Sequence, residues 1–477
     1  MALVTRRGFI ARTASAAATL WGYPRGTMAE SPQTPPDAAA IRKLASALSG
    51  QLITVDSSDY DAARLVFNRA FDRRPALIAR CAGAADIARV LDFSQRHELP
   101  LAVRGGGHHR AGLSSCDGGA VIDLSALNHV EVDAGQRVAR AAAGALTVNL
   151  DAATQRFGLA TTSAGCPTVG IAGLTLGGGE GFLMSNFGAA CDNLTAAQLV
   201  TVDGREVEAS PGSNPDLFWA IRGGGGNFGV AIALEFCLHP VTDVLAGTLL
   251  YGGGRTTELL QAFASFVSVA PDEMNVVGVL LPAVEGTRFR VLLCHCGDAR
   301  LGNDLLRPLR ALRPREDSVR IASYLEIQAT INPAPPVAHF QTNLFLPRLS
   351  AAALRTITSA TDAAPPDSRI FIVPFYGAVT RVPVRNTAFA LRQQGYELDI
   401  MGRWPTPADK PRAVQWVKDL RDGLRPFAHG TYVNQLGETS EELVRDAYGV
   451  NYARLARIKK KYDPRNLLRS NQNIKPA

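Results

Sequence analysis

Residues 103–116 read VRGGGHHRAGLSSC. Gly105, Gly106 and Gly107 strip one stretch of backbone of every Cβ, so it can enter φ > 0 and turn its N–H groups toward an anion. His108 and His109 stand directly behind, where an imidazole would lie beside whatever the loop holds. A tight turn followed by surface histidines is the competing reading, and this fragment alone favours it. LPLAVRGGG reads as a buried strand entering the loop and PALIARC as a second strand. AADIARVLDFSQRHE between them has the spacing of an amphipathic helix.

The same composition returns twice downstream. AGCPTVGIAGLTLGGGEGFL (164–183) combines glycines with one nucleophile, Cys166, and DLFWAIRGGGGNFGV (216–230) carries four glycines in a row. Glycine this dense is costly in a plain core and suits backbone lying flat against a ligand. Neither stretch sits in the strand–GxGxxG–helix context of a Rossmann site, and no Walker lysine follows the glycines. Between the first two stretches, AVIDLSALNHVEVDAGQRVARAAAG reads as strands with turns, and TVNLDAATQRFG as a helix ending at Gly158. From about 241 to 430 the glycine clusters stop; TTELLQAFASFV reads as a helix and FRVLLCHCG as a strand. EELVRDAYGVNYARLARIKKKYDP reads as one helix halted before Pro464.

Read together and in this order, the glycine–histidine loop, GCPTVGIAGLTLGGG, FWAIRGGGGNFGV and the tail NYARLARIKKKYDPRNLLRSNQNI resemble FAD-linked oxidases of the vanillyl-alcohol-oxidase type, specifically the berberine-bridge-enzyme-like group. The match spans most of residues 75–240 and 440–474. It implies an α+β, two-domain, PCMH-type FAD-binding fold whose substrate domain is an antiparallel sheet covered by helices. The implied division is a signal at 1–29, a FAD domain at 30–240, a substrate domain at 241–430 and a C-terminal return at 431–477. It also implies that FAD is bicovalently attached, through His108 to the 8α-methyl and through Cys166 to C6, with His109 the alternative attachment point. The loop from Arg104 to His109 would cradle the pyrophosphate. Further cofactor contacts are implied at Val169, Gly170, Gly173, Gly177, Gly226, Asn227, Gly229, Asn471 and Asn473.

For the chemistry, the resemblance places a base in the Y-x-N pattern of HGTYVNQLG, at Tyr432, with Asn434 beside it. A tyrosine with a pKa near 10 needs a cationic or hydrogen-bonding neighbour to act at neutral pH. Relatives often continue with Tyr-Arg, whereas this chain has Gln435-Leu436, which leaves the activating partner open. Tyr376 in FIVPFYGAV is a second catalytic candidate, or an aromatic on a sheet face. Tyr448 and Tyr452, four apart, are expected to pack in the core. Val169, three after Cys166, stands where valine accompanies oxidases in such relatives, which favours O2 as acceptor; a dehydrogenase using another acceptor, with Val169 as ordinary packing, is the alternative. The donor implied is a small molecule with a CH–OH group, an oligosaccharide or a natural product. Trp404 and Trp416 are stacking candidates for it.

The chain has 477 residues and a formal net charge of +7. Its start, TRRGFIARTASAAATLWG, has the twin arginines Arg6 and Arg7, a short apolar run and a small-residue site at Thr27-Met28-Ala29. This is the pattern of a twin-arginine export signal leading to the periplasm or beyond. The four arginines before Glu30 account for more than half of the excess, leaving +3, which argues against a nucleic-acid partner. Lys459-Lys460-Lys461 is expected to form a solvated helix face. No uninterrupted apolar run is long enough for a membrane span. Cys294-His295-Cys296 alternates on a strand and lacks a second ligand pair, so no metal is expected. Seven cysteines leave at least one thiol unpaired in an oxidising compartment.

Overall fold

The computed structural model describes residues 37–330 and 336–477; the export signal expected at 1–29 lies outside the described residues. The first sheet holds β1 (Gln51–Thr54), β2 (Leu77–Arg80), β3 (Leu101–Arg104) and β4 (Ala120–Asp123) in the order β1-β2-β4-β3. β4 runs parallel to both β2 and β3, and the buried runs LIAR and AVID are near-continuously apolar, as strands covered on both faces should be. Helix Ala84–Arg96 makes the β2–β3 crossover and buries Ile87, Val90 and Leu91, a helical stripe.

A second, antiparallel sheet follows. Its strands are β5 (Val130–Asp133), β6 (Val138–Ala142), β7 (Leu194–Val200), β8 (Glu206–Ala209) and β9 (Val230–Cys237), ordered β5-β6-β9-β7-β8. Helix Thr147–Gln155 ends as expected ahead of Gly158, whose φ is +65°. The glycine-rich stretches become the links around this sheet rather than strands of it.

The third sheet is antiparallel and joins β10 (Asp243–Tyr251), β11 (Met274–Leu281), β12 (Arg288–His295), β13 (His339–Leu346), β14 (Arg369–Phe375) and β15 (Gly395–Arg403) in the order β10-β12-β11-β14-β15-β13. Two short strands, Glu316–Asp317 and Arg320–Ser323, pair with β10. Alternation along each strand divides the sheet cleanly. Val276, Leu280, Val291, Leu293, Ile370, Ile372, Leu398 and Ile400 join a core with helices Thr256–Val267, Ala351–Asp362 and Lys410–Leu424. The other face, described below, looks into a cavity. Trp416 belongs to the core side, with Nε1 donating to the Ala360 carbonyl at 2.8 Å. Trp404 lies beneath Lys410. Neither tryptophan lines the cavity, so the stacking expectation is corrected.

The last helix is two. Glu441–Tyr448, capped by Ser440, and Tyr452–Tyr462 are separated at Gly449, where φ is +47°. Lys459 is a further correction: it is fully buried, and its Nζ donates to Asp463, Asn227 O and Leu468 O. Only its neighbours match a solvated face; Lys461 pairs with Asp216. Among the described residues no helix is long and apolar enough to cross a membrane.

Candidate active site

A cavity of about 810 Å³ opens between the glycine-rich links, which form its floor, and the third sheet, which roofs it. Gly105, Gly106, Gly107, His108 and His109 all line it, at the end of β3. So do Cys166, Val169, Gly170 and Gly173 from the second glycine stretch, Gly226, Asn227 and Gly229 from the third, and Asn471 from the tail. Tyr432 joins them from the loop before the last helices.

The glycines divide into two kinds. A Cβ on Gly106 would sit 2.3 Å from the Gly170 nitrogen, so these two loops touch backbone to backbone. A Cβ on Gly173 or Gly226 would meet no protein atom within 4 Å, because those positions border open space. Gly106→Ala is therefore expected to lower stability by about 1–3 kcal/mol through overpacking. Gly226→Ala should leave the unfolding midpoint of the apoprotein unchanged; thermal melts of both variants check this.

Four expected cofactor or catalytic residues are placed elsewhere. Arg104 turns back to an ion pair with Asp123 at 2.8 Å and to the Ala63 carbonyl, bracing β3 against β4. Gly177 packs beneath Asn434, whose Oδ1 would lie 2.1 Å from a Cβ there. Asn473 is not part of the cavity wall. Tyr376 is turned into the helix-covered core on the side of the roof away from the cavity, its hydroxyl donating to the Met274 carbonyl. The catalytic expectation for Tyr376 is thus corrected: just beyond the end of β14, it packs with Ile370 and Ile372 in the core, whereas Arg369, Phe371 and Val373 face the cavity.

His108 and Cys166 converge. His108 Nε2 lies 2.9 Å from Thr168 Oγ1, and Cys166 Sγ lies 3.5 Å from the same hydroxyl. His108 stacks on Phe67 with ring centroids 4.0 Å apart. Burial, reinforced by Arg110 and His339, pushes the His108 pKa down to about 3, so the imidazole is neutral and nucleophilic. His109 is pushed down to about 4, by burial first and then Arg73 and Arg110, but its Nδ1 accepts the Ala111 N–H at 3.2 Å. All seven cysteines are free, Cys191 being buried beside the Arg392–Asp192 pair and not joined to Cys166.

Tyr432 is held from three sides. Asn343 of β13 accepts its N–H at 2.7 Å and donates to its carbonyl at 2.9 Å. The phenol oxygen accepts the Gly179 N–H and the Asn434 amide, each at 2.8 Å. These two donors lower its pKa, yet burial, then Glu180, outweigh them and hold it well above 10. Among the described residues no cation bonds the phenol: Arg110 donates to Gln435 at 3.0 Å instead. Gln435 thus takes part in the site through Arg110 and Gln341.

Three carboxylates escaped the sequence reading. Glu180 and Asp399 line the cavity, and Glu397 lies two residues before Asp399 on the same face of β15. Glu397 is fully buried, and among the described residues neither of its oxygens has a hydrogen-bond partner. Loss of water raises all three: Asp399 to about 7, with Arg110 and Gln341 opposing, and, with repulsion from the neighbouring carboxylates added, Glu180 to about 8 and Glu397 well above the ordinary range. The clues lay in GGGEG, one charge inside a glycine run, and in ELDIM, where acids alternate with apolar residues.

This geometry can be set beside known proteins. A FAD binding domain family matches residues 75–210, and the berberine and berberine-like family matches residues 431–475. A Bacillus subtilis protein named uncharacterized FAD-linked oxidoreductase YgaK is 30% identical over 440 residues, 90% of this chain and 97% of that protein. The chain belongs to the berberine-bridge-enzyme-like FAD-linked oxidoreductases. Another relative of this oxidoreductase is the (R)-6-hydroxynicotine oxidase of Paenarthrobacter nicotinovorans, 30% identical over 455 residues, 91% of this chain and 99% of that one. The crystal structure of 6-hydroxy-D-nicotine oxidase from Arthrobacter nicotinovorans superposes with a TM-score of 0.82 at 28% identity, covering 90% of this chain and 98% of that one. A xylooligosaccharide oxidase from Myceliophthora thermophila shares the fold, with a TM-score of 0.83 at 24% identity over 92% and 99% of the two chains. The oxidoreductase is therefore an enzyme with a PCMH-type FAD-binding fold of mixed helix and sheet. Its open, Cβ-free floor and the unpartnered buried oxygens of Asn471 and Gln472 fit FAD.

Proposed function

We propose that this enzyme is an oxidase that removes hydride from a CH–OH group, a sugar hemiacetal or secondary alcohol, and that holds its FAD through two covalent bonds. The observation that carries the reading is the convergence of His108 Nε2 and Cys166 Sγ on the Thr168 hydroxyl, at the wall of an open cavity roofed by buried carboxylates. Two protein bonds fix a flavin without close enclosure, which leaves a groove broad enough for an oligosaccharide. FAD held by these residues would supply the hydride acceptor, with O2 as the terminal oxidant and H2O2 the product. Asp399, raised into the neutral range, takes the donor's hydroxyl proton. Tyr432 keeps its own proton and offers its O–H as a hydrogen bond to the donor oxygen, since the phenol oxygen already accepts from Gly179 and Asn434. Val169 lies on the cavity wall, as the oxidase reading requires. Export through a twin-arginine signal and a substrate part at 241–430 belong to the same proposal.

The test begins with acid denaturation of the purified protein. Yellow colour and one added FAD mass should stay with the chain, and should persist in His108→Ala and in Cys166→Ala but vanish in the double variant. Free flavin in the supernatant of the unaltered protein would sink the covalent reading. Anaerobic bleaching of the flavin by cellobiose or xylobiose, with H2O2 formed on readmitting air, tests the donor and acceptor classes. The hydroxynicotine oxidase relative makes an alkaloid the second donor class to try.

A further inference from the structure

At the outer end of the roof, β12, β14 and β15 turn three arginines, Arg290, Arg369 and Arg403, toward the cavity. Register places them together. Arg369 lies opposite Met401, and Arg403 is two residues further along the same strand face. Arg290 lies opposite Val279, which in turn lies opposite Phe371, two residues from Arg369. All three are half-buried, and among the described residues none has a carboxylate within ion-pair distance. Other arginines at the cavity are committed: Arg320 pairs with Glu326, and Arg110 bonds Gln435. Arg288, on the same face of β12, has a buried Nε without a partner.

Like charges this close repel. Burial first, then Arg403 and Arg290, lower the pKa of Arg369, with Asp367 alone opposing. A half-buried cationic cluster with no carboxylate paired to it among the described residues is unfavourable unless an anion completes it. Guanidinium forks match planar oxyanions in particular. The pyrophosphate of FAD does not account for them, since the glycine N–H groups suited to it belong to the floor.

We propose that the donor carries an anionic group, which Arg290, Arg369 and Arg403 hold at the roof's outer end while its CH–OH group lies beneath Asp399. Asp399 and Arg403 are four positions apart on β15, or about 13 Å at the rise of a strand. The anion is therefore remote from the reacting carbon, and the donor is larger than one sugar ring. Phe371, Val279 and Met401 supply the apolar surface between the two ends. The inference rests on the proposed CH–OH chemistry for the placing of the reacting end, but the anion site is read independently of turnover.

The experiment is calorimetric titration of the flavin-loaded enzyme with cellobiose, with the same disaccharide bearing a terminal uronate, and with its terminal phosphate ester. At least one anionic form should bind tenfold or more tightly than cellobiose, and the preferred one identifies carboxylate or phosphate. Arg369→Gln and Arg403→Gln should each bring that form to within about threefold of cellobiose, with flavin content unchanged. Equal affinities for all three sugars would overturn the proposal. So would loss of flavin from the arginine variants, or binding of inorganic phosphate as tight as that of the anionic sugar. If the anionic sugar binds through the arginines but never bleaches the flavin, the CH–OH reading fails while the anion site stands.

Discussion

Asp399→Asn is expected to lower kcat/KM by about 10²–10⁴-fold, the range for loss of a positioned general base. Asp399 is the cavity carboxylate whose pKa, near 7, matches the task, whereas Tyr432 is driven the wrong way for a base. The pH profile carries the sign. A carboxyl with a raised pKa is protonated, and idle as a base, until the pH climbs through the neutral range. Activity of the unaltered enzyme should therefore rise there rather than near pH 4, the ordinary carboxylate value. In Asp399→Asn that limb should disappear while bound flavin is retained. Stability should move oppositely. Because the folded state holds these protons to higher pH than the unfolded chain, stability falls as pH rises from the ordinary carboxylate range through the raised values. Asn removes part of that dependence, so the variant should melt higher than its parent above neutrality. If Tyr432→Phe instead abolished the limb and Asp399→Asn left it in place, the tyrosine would be the base.

The floor of this site was legible because glycine speaks locally: a run without Cβ atoms has few uses, and the nucleophiles His108 and Cys166 follow at short range. The roof was not. Glu397 and Asp399 sit in a strand whose period was readable, but the face they share is decided by pairing with Asn343 and Phe371, far away in sequence. Arg369 and Arg403 share that obstacle, since two isolated arginines become a cluster only through register. Tyr376 misled for the converse reason: aromatic residues near a strand end look alike, and only packing shows that this hydroxyl turns to Met274. Gly449 looked like a tolerable glycine inside one helical pattern, yet its left-handed φ ends one helix and lets the next begin in a new direction.

Lys459 shows how far a charge can be misread, and its removal is expected to be the most destabilising single change proposed. The triple-lysine run suggested solvent, but helical spacing points Lys459 inward, where it and Asp463 are both fully buried 2.7 Å apart. Its remaining protons go to the carbonyls of Asn227 and Leu468, at 2.8 and 2.9 Å. Asn227 meanwhile donates to Gly224 O and Gln472 O and accepts the Ile474 N–H. One ammonium thus ties the C-terminal tail to the third glycine stretch, where the cavity wall is made. Lys459→Met fills similar volume but leaves the Asp463 carboxylate buried without its cation, at a cost of about 3–5 kcal/mol. The N–H groups of Leu467 and Leu468, both 2.8 Å from Asp463, cushion that charge but do not neutralise it. Denaturant unfolding should show the loss. Adding Asp463→Asn should restore part of it, because the orphaned charge rather than the missing contact sets the size of the effect. If the double variant were as unstable as the sum of the two singles, the pair would be uncoupled and the latch would depend on the carbonyl hydrogen bonds alone.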